Sequence, residues 1–391
     1  MKGVIWSLIV TMAIQALVSM AVFTPPIVAP AAHNDIGLPA IWIGIVTALT
    51  FSAATFGALF SGGIIARVGA LRMSQVSLFL CGSGIALIAS SNVWLIALGA
   101  LVMGLGYGPV TPSSSAILAD RTPERIRSFI FSLKQTGVPI GGAVAGVLLP
   151  ALINVLGWRI AALATAGACV AFALALQPMR AGVDRGSRAA DQTPHAGLLE
   201  PLRLVLSHAR LREMAFASFT YSGMQMCLGS FLVVFLHDHV GFGLAAAGAA
   251  LSTAMLAGIG GRILWGVVAD NWVKPRVLLG LLGVSMALAA LATAFVGAAW
   301  PTAIVFAVSF VYGATAVGWN GVYLSEVART APPGRAAAAT GASLAMTYSG
   351  VMVLPFLFWA IVAASGSYAA AFIATGLLTL WRGSYLLRKT N

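Results

Sequence analysis

Two basic residues, Lys134 and Arg262, lie inside long apolar stretches of the sequence, where charged side chains are rare. Lys134 follows Arg127 by seven residues, and Arg262 precedes Asp270 by eight. At the helical rise of 1.5 Å per residue, they lie about 10 Å and about 12 Å from the charged ends of their helices. An unpaired cation in the middle of a bilayer costs about 2.5–3.5 kcal/mol. This cost makes both residues candidates for binding an anion.

The helical phase of both cations favours an inward orientation. Lys134 shares a helix face with Gly137 and Gly141, and Arg262 shares one with Gly258. Small residues mark the side of a membrane helix that packs against other helices. The alternative interpretation is that both long side chains bend back to the membrane surface. We expect both cations to point into the protein.

The ten acidic residues lie in loops or near the ends of apolar stretches, so none can neutralise Lys134 or Arg262 in the interior. Two inward cations without a counter-charge form a positively charged cavity that an anionic substrate would complete. Exchange of a cationic drug for protons would need a buried carboxylate. The charge pattern therefore favours an organic anion over a cationic drug.

The composition requires a membrane environment around these helices. Of 391 residues, 60% are hydrophobic and only 8% are charged, against roughly 25% charged residues in a soluble domain. The mean hydropathy is +0.95. These values exclude a soluble globular domain, a disordered chain, a coiled coil and a disulfide scaffold. The chain is predicted to be an integral membrane protein.

Twelve apolar segments are long enough to cross the roughly 30 Å hydrocarbon core of a bilayer. They are separated by charged turns or by turns rich in proline and glycine, and a polar linker at 179–212 divides them into two sets of six. This linker is expected to carry a short amphipathic helix at 198–208. The predicted spans 1 to 12 are 4–28, 39–65, 71–90, 93–116, 128–152, 157–178, 213–236, 245–269, 275–298, 300–324, 337–363 and 367–387.

The positions of the basic residues predict the topology. Nineteen of the 22 Lys and Arg residues fall in the termini, the linker and every second loop, whereas the opposite loops contain only Arg159. This asymmetry follows the positive-inside rule and places both termini in the cytoplasm. The net charge of +12 is thereby explained without nucleic acid as a partner.

The sequence contains an internal repeat with an offset of 204 residues. Arg72 corresponds to Arg276, and Gly62 corresponds to Gly266. The segment that begins at His33 corresponds to the one that begins at His237. Two six-helix halves in the same orientation form the parallel repeat of one transporter architecture.

With twelve spans and this repeat, the chain resembles the major facilitator superfamily over essentially its whole length. The segment 62–69 (GGIIARVG) is similar to the family's signature loop between spans 2 and 3, with Ala66 where an Asp is usual. Its second-half copy at 266–271 (GVVADN) keeps the acid as Asp270. The segment from Gly104 to Pro112 resembles the family's span 4. The glycines are interpreted as helix-packing residues rather than as a nucleotide-binding loop.

The resemblance implies an all-α fold of two pseudo-symmetric six-helix bundles, at 1–178 and 213–391, joined by the cytoplasmic linker at 179–212. It also implies a cytoplasmic latch, meaning charged contacts that close the cytoplasmic side. Arg67 and Asp120 would serve the first half, and Asp270 and Glu326 the second. Ala66 leaves the first-half latch incomplete. The alternative is that these charges only anchor helix ends at the membrane surface.

The resemblance further implies that spans 1, 4, 7 and 10 line the substrate path. A lining of amides, hydroxyls and aromatic rings suits a small organic anion with an apolar body. For each of these residues, packing between helices is an equally open interpretation. The predicted lining residues, beside Lys134 and Arg262, are Gln15, Tyr107, Gln225, Trp319, Asn320 and, in span 11, Tyr348.

A narrower resemblance concerns Arg262, which precedes Gly266 by four residues. This pattern is similar to the span 8 arginine of the monocarboxylate and oxalate/formate transporters. In the oxalate/formate carriers a second cation lies in span 11, where this chain offers Tyr348. Here the second cation, Lys134, lies in span 5, the pseudo-symmetric counterpart, so the substrate geometry of those carriers does not transfer.

The chain shows no pattern of a membrane enzyme or of a cofactor site. Its three cysteines, Cys81, Cys169 and Cys227, are far apart in apolar runs and indicate neither a metal site nor a disulfide framework. We therefore expect no catalytic residues, no metal and no cofactor. The expected partners are an anionic small molecule, protons in the case of symport, and the lipid bilayer.

The sequence thus predicts a secondary transporter that moves a mono- or dicarboxylate across the bacterial inner membrane by alternating access. We expect it to act as a monomer. Proton symport, uniport and anion exchange stay open, because no span contains an obvious proton carrier. Two alternatives are an exporter of hydrophobic drugs and a membrane receptor that binds a ligand without transporting it.

Overall fold

The computed structural model describes residues 2–119, 121–123, 130–131, 133–180, 183–184, 203, 205–330 and 336–388. Every regular element in these residues is helical. Twelve helices among them are long and apolar enough to cross a membrane. The predicted all-α fold with twelve membrane helices is confirmed, and the chain is a multi-pass membrane protein.

The helices follow most of the predicted spans closely, although spans 4 and 10 each consist of two helices. Span 5 was predicted to begin at residue 128, but its long helix begins at Gly137, and Lys134 lies in the short helical segment 133–135 that precedes a turn at Thr136. In the first half the helices are Lys2–Ile36, Ile43–Val68, Ala70–Ile88, Val93–Tyr107 with Val110–Ala119, Gly137–Leu156 and Trp158–Ala175. In the second half they are Ala209–Val234, Leu244–Asn271, Pro275–Ala294, Thr302–Ala316 with Asn320–Thr330, Ala336–Ser365 and Tyr368–Arg388. The predicted linker helix at 198–208 lies mostly outside the described residues.

Span 1 is longer than predicted. The prediction ended it at residue 28, but the helix continues to Ile36 with Pro25, Pro26 and Pro30 inside it. Membrane helices tolerate proline because neighbouring helices and side-chain hydroxyls satisfy the carbonyl groups that proline frees. Thr24 contributes in this way, since its hydroxyl donates to the Met20 carbonyl at 2.8 Å.

The chain divides into two compact units, Met1–Ala40 with Leu49–Thr193, and Ile41–Ala48 with Pro194–Asn391. The second unit thus includes the beginning of span 2. There the Thr47 and Ser230 hydroxyls lie 3.1 Å apart. A Cβ at Gly44 would lie 2.8 Å from the Pro355 carbonyl, so only glycine fits at this contact. The domain boundaries expected from the sequence stay a prediction.

Both units pair their helices in the same way, as the repeat requires. Spans 1 and 5 pack together in the first unit, and their counterparts 7 and 11 in the second. Spans 3 and 6 correspond likewise to spans 9 and 12. Glycines permit the closest approaches: Gly104 lies against the Thr50 backbone of span 2, and Gly313 lies against the Ala254 backbone of span 8. The glycines of span 4 are therefore packing residues.

The ends of the first unit are held by buried or paired carboxylates. Asp35, in the last turn of span 1, accepts a hydrogen bond from the Trp158 indole at 2.9 Å and pairs with Arg159 at 2.9 Å. This pair accounts for the single basic residue of the loops that were predicted to lie outside. At the opposite end, the Asp184 carboxylate accepts from the Leu71 backbone N–H at 2.8 Å and so caps span 3.

Candidate functional site

Lys134 is buried in the first unit, with 2% of its surface exposed. Its ammonium donates to the Gln15 amide oxygen of span 1 at 2.8 Å and to Gln135 at 3.4 Å. Span 1 comes this close to span 5 because Gly137 and Gly141 lie directly against its backbone. The sequence prediction that Lys134 points away from lipid agrees with this burial.

The partners of Lys134 solvate the cation without neutralising it. An ammonium has three donors, and the two amide oxygens occupy two of them. Among the described residues, no carboxylate forms a salt bridge with Lys134. The Gln15 amide also donates to the Ser19 hydroxyl at 3.4 Å, which orients its oxygen towards the lysine. The arrangement can therefore accept an anion as the third partner.

Arg262 is partly buried in span 8 of the second unit. Its Nε donates to the Val317 carbonyl of span 10 at 3.1 Å. Gly258 and Gly261, on the same side of span 8, lie against Val317 and the Ala314 carbonyl. Arg262 therefore lies on the face of span 8 that packs against span 10, as the spacing of the glycines predicts.

Span 10 is interrupted where Arg262 reaches it, because its first helix ends at Ala316 and its second begins at Asn320. The break frees backbone carbonyls, which need partners inside a membrane protein. Arg262 satisfies Val317, and the Trp265 indole donates to Ala314 at 2.7 Å. Interrupted helices of this kind form the substrate sites of many transporters. The sequence analysis missed this break.

Span 4 has the corresponding interruption, between Tyr107 and Val110. Gly108 and Pro109 occupy the break, and Gly108 lies against the Ala54 backbone of span 2. The predicted lining residue Tyr107 therefore ends a helix, with its partly buried ring edge-on to Phe51 at a centroid distance of 5.5 Å. Each unit therefore contains a span that is interrupted by a short non-helical segment.

An aromatic cluster surrounds the break in span 10. Trp319 is fully buried, and its ring meets Tyr221 of span 7 at 5.7 Å and Tyr323 at 5.2 Å, both edge-on. The Asn320 amide donates to the Gln225 amide oxygen at 3.3 Å. Three predicted lining residues, Gln225, Trp319 and Asn320, thus lie together in the second unit.

One polar group in this region has no partner in the described part of the protein. The Trp319 indole N–H is buried and has no hydrogen-bond partner among the described residues. A buried unpaired donor is costly, about 1–3 kcal/mol. The remaining predicted residue, Tyr348, is partly buried in span 11, next to Thr347, whose carbonyl accepts from the Ser222 hydroxyl of span 7 at 2.8 Å.

The residues of the predicted latch differ in their solvent exposure and in their charged neighbours. Arg67 and Asp270 are exposed, and neither forms a salt bridge in the described part of the chain. Glu326 is partly buried, and the charges acting on it are those of Arg329, Arg276 and Arg210. Asp120 lies outside the described residues. The latch stays a prediction.

A buried charge network in the second unit was not predicted. Glu213, at the start of span 7, pairs with Arg276 of span 9 at 2.8 Å. Its backbone carbonyl accepts from Arg382 of span 12, and its carboxylate accepts from Tyr385 at 3.4 Å. Arg382 is only 4% exposed. The sequence did contain a signal for the burial of Arg382. This residue precedes Arg388 by six positions and therefore lies about 9 Å inside the helix.

The described residues contain no group of three or more His, Cys, Asp or Glu side chains that could hold a metal ion. All three cysteines are free and buried.

The family follows from a comparison with known proteins, since a sequence profile described as the Major Facilitator Superfamily matches residues 11–355. The chain belongs to the major facilitator superfamily. This confirms the resemblance found in the signature loops and in the repeat. The named relatives below are transporters rather than enzymes.

Two curated relatives have aromatic acids in their names. The 4-hydroxybenzoate transporter PcaK of Pseudomonas aeruginosa is 31% identical over 133 residues, which are 34% of this chain and 30% of the relative. The gentisate transporter of Corynebacterium glutamicum is 30% identical over 121 residues, 30% of this chain and 27% of that protein. The alignments thus span less than a third of either relative.

Solved structures confirm the fold over the whole chain. The crystal structure of a D-xylose-proton symporter superimposes with a TM-score of 0.73, covering 98% of this chain and 97% of the other at 15% sequence identity. Because a sugar carrier shares the fold, the fold alone does not select a substrate. The charged and polar side chains of this chain must do so.

Proposed function

We propose that this protein is a secondary transporter of a small aromatic carboxylate, which it moves across the bacterial inner membrane by alternating access. The observation that carries the proposal is Lys134, a buried cation whose partners are two neutral amides. Arg262, which bonds the carbonyl of an interrupted helix, supplies the second cation. The names of two relatives support an aromatic acid as the substrate class.

Electrostatics favours an anion as the ligand of Lys134. A buried ammonium loses its hydration, and neutral amide oxygens recover only part of that free energy. A carboxylate would add the missing negative charge and accept a charge-assisted hydrogen bond. A neutral sugar or a hydrophobic cation would leave the charge of Lys134 uncompensated. The cation therefore distinguishes organic anions from both other substrate classes.

The second unit offers groups that match the ring of such a substrate. Trp319, Tyr221 and Tyr323 form a cluster of edge-on rings, the geometry that aromatic groups prefer. Asn320 and Gln225 provide amides that can bond a phenolic hydroxyl. The unpaired Trp319 indole N–H offers one further donor to an oxygen.

The transporter would have both termini in the cytoplasm, as the distribution of basic residues favours, and we expect it to act as a monomer of two six-helix bundles. Arg67, Asp120, Asp270 and Glu326 would close its cytoplasmic side. Within the residues that the structure describes, no carboxylate forms a salt bridge with Lys134 and so offers itself as a proton carrier. Coupling to protons, uniport and anion exchange are therefore distinguished by experiment rather than by sequence.

The test is uptake by proteoliposomes that contain the purified protein. We expect saturable uptake of labelled 4-hydroxybenzoate, no uptake of glucose or of a hydrophobic cationic drug, and strong loss of uptake in Lys134→Gln and Arg262→Gln. Lys274→Gln is the matched control, because Lys274 is exposed and lies in a loop. A dependence on an imposed pH gradient would indicate symport, and a dependence on internal anion would indicate exchange.

Three results would contradict the proposal. Uptake of glucose or of the drug in preference to the acid would assign another substrate class. Equal uptake by the wild type, Lys134→Gln and Arg262→Gln would remove the cations from the site. Saturable binding of the acid without any uptake would make the protein a receptor.

A further inference from the structure

The second unit contains a pocket that neither of the proposed substrate cations lines, although Glu326 of the predicted latch is part of its wall. It has a volume of about 480 Å³. It lies where span 7 begins and span 10 ends, which is the cytoplasmic end in the proposed topology. Its lining residues are His208, Ala209, Arg210, Glu326, Arg329 and Thr330.

The start of span 7 gives this pocket a positive helix end. Span 7 begins at Ala209 and runs for 26 residues, and its N-cap residue, His208, makes no side-chain capping hydrogen bond. The first N–H groups of an α-helix have no partner within the helix, and the helix dipole adds partial positive charge there. Such an end binds carboxylates and phosphates when further donors are present.

Two arginine side chains supply those donors. Arg210 and Arg329 line the pocket and are exposed, and neither makes a hydrogen bond or a close ion pair with another described residue. Arginine presents its N–H groups as a planar fork that matches the oxygens of a carboxylate or phosphate. The Thr330 hydroxyl, also on the lining, can donate one more hydrogen bond.

The charge balance of the pocket leaves room for an anion although Glu326 lies in its wall. Arg210 and Arg329 line the same pocket as Glu326, and the charge of Arg276 also acts on this carboxylate. Arg276 is already paired with Glu213 at 2.8 Å. Even when Arg276 is counted with Glu213, two arginines face one carboxylate.

We propose that this pocket is a second anion-binding site, which takes the carboxylate or phosphate group of a small soluble molecule from the cytoplasm. This site is separate from Lys134 and from Arg262, and it goes beyond the proposed transport function. The helix end and the two arginines bind the oxygens of the anion. Glu326 restricts the site to ligands of low charge, because it repels an anion with several negative charges.

The site is tested by introducing a thiol into the pocket and measuring whether an anion protects it from chemical labelling. The native cysteines are all buried, so Ala209→Cys places an accessible thiol in the pocket. The rate at which an uncharged maleimide labels this thiol is measured while phosphate or 4-hydroxybenzoate replaces chloride at constant ionic strength. We expect saturable slowing of the labelling by either anion. Asn271→Cys, exposed outside the pocket, is the matched control and should label at a constant rate.

Variants of the two arginines connect the protection to the proposed contacts. In the Ala209→Cys background, Arg210→Gln and Arg329→Gln should each raise the half-protecting anion concentration by about fivefold or more, as expected for loss of a charged hydrogen bond. Arg388→Gln, an exposed arginine of span 12, should leave that concentration unchanged. Persistence of full protection in the double variant Arg210→Gln/Arg329→Gln would overturn the site.

The remaining outcomes distinguish a soluble anion from a lipid headgroup, and they test the pocket independently of the proposed transport function. Constant labelling in every anion, or equal slowing at Asn271→Cys, would overturn the site. So would slowing by phosphatidylglycerol vesicles alone, because the occupant would then be a lipid headgroup. Protection without transport of 4-hydroxybenzoate would leave the pocket standing and remove the proposed function, whereas transport without protection would do the reverse.

Discussion

Replacing Lys134 by methionine distinguishes a functional cation from a structural one. Methionine has a similar length and lacks the charge. Its substitution removes the cost of a cation in the membrane interior, about 2.5–3.5 kcal/mol. It also leaves the Gln15 oxygen, now 2.8 Å from the ammonium, without its partner, which costs about 1–3 kcal/mol. The free energy of unfolding of Lys134→Met should therefore be unchanged or raised, by up to about 2 kcal/mol.

A double-mutant cycle with Gln15→Leu sharpens this prediction. In the wild-type background, Gln15→Leu leaves a buried ammonium with fewer acceptors and should cost about 1.5–3 kcal/mol. In the Lys134→Met background, the same substitution removes an unpaired amide and should cost little. The assay is equilibrium denaturation of the purified protein, beside uptake of 4-hydroxybenzoate. A fall of more than about 2 kcal/mol in Lys134→Met, with normal uptake, would show that Lys134 is structural.

Three further substitutions test the packing and the charge networks by thermal or denaturant unfolding. Glu213→Leu leaves the partly buried Arg276 without its acid partner and should cost about 3–5 kcal/mol; no loss would show that the network is solvated. Gly313→Leu forces a side chain against the span 8 backbone and should cost about 1–3 kcal/mol or prevent folding, whereas Gly297→Leu, in open space, is its control. Asp35→Asn breaks the half-exposed pair with Arg159 and should cost no more than about 1 kcal/mol; a larger loss would mean that the pair holds span 1.

Much of the fold could be predicted because apolar length, basic residues and the repeat each constrain it independently. Single charges in apolar runs identified Lys134 and Arg262, since hydrophobic helices rarely carry a charge without a reason. The glycine spacing predicted which faces of spans 5 and 8 pack against other helices. Each of these signals depends only on residues within one helix, so it can be read from a single sequence.

The features that were missed depend on contacts between distant residues. The breaks at Tyr107 and Ala316 occur in apolar runs in which glycine is frequent, so glycine does not distinguish a break from close packing. The break in span 10 is stabilised by hydrogen bonds from span 8, from Trp265 and Arg262, and the break in span 4 by the packing of Gly108 against span 2. Span 1 was cut short because proline ends soluble helices, whereas the surrounding membrane helices permit it here.

The Glu213 network was missed for a related reason. Arg276 and Arg382 were counted as topological charges near helix ends, and their burial follows only from the packing of span 9 against span 12. Likewise, Gln15 was identified as a polar residue of span 1, but its bond to Lys134 requires the close approach of span 5.

The central claim is that Lys134 and Arg262 recognise the negative charge of a carboxylate. Equilibrium binding of 4-hydroxybenzoate and of its neutral amide, 4-hydroxybenzamide, to the purified protein tests it most directly. The wild type should bind the acid at least about tenfold more tightly, which corresponds to about 1.4 kcal/mol, and Lys134→Gln/Arg262→Gln should bind both ligands equally. Equal affinity of the wild type for acid and amide, or an undiminished preference for the acid in the double variant, would contradict the account.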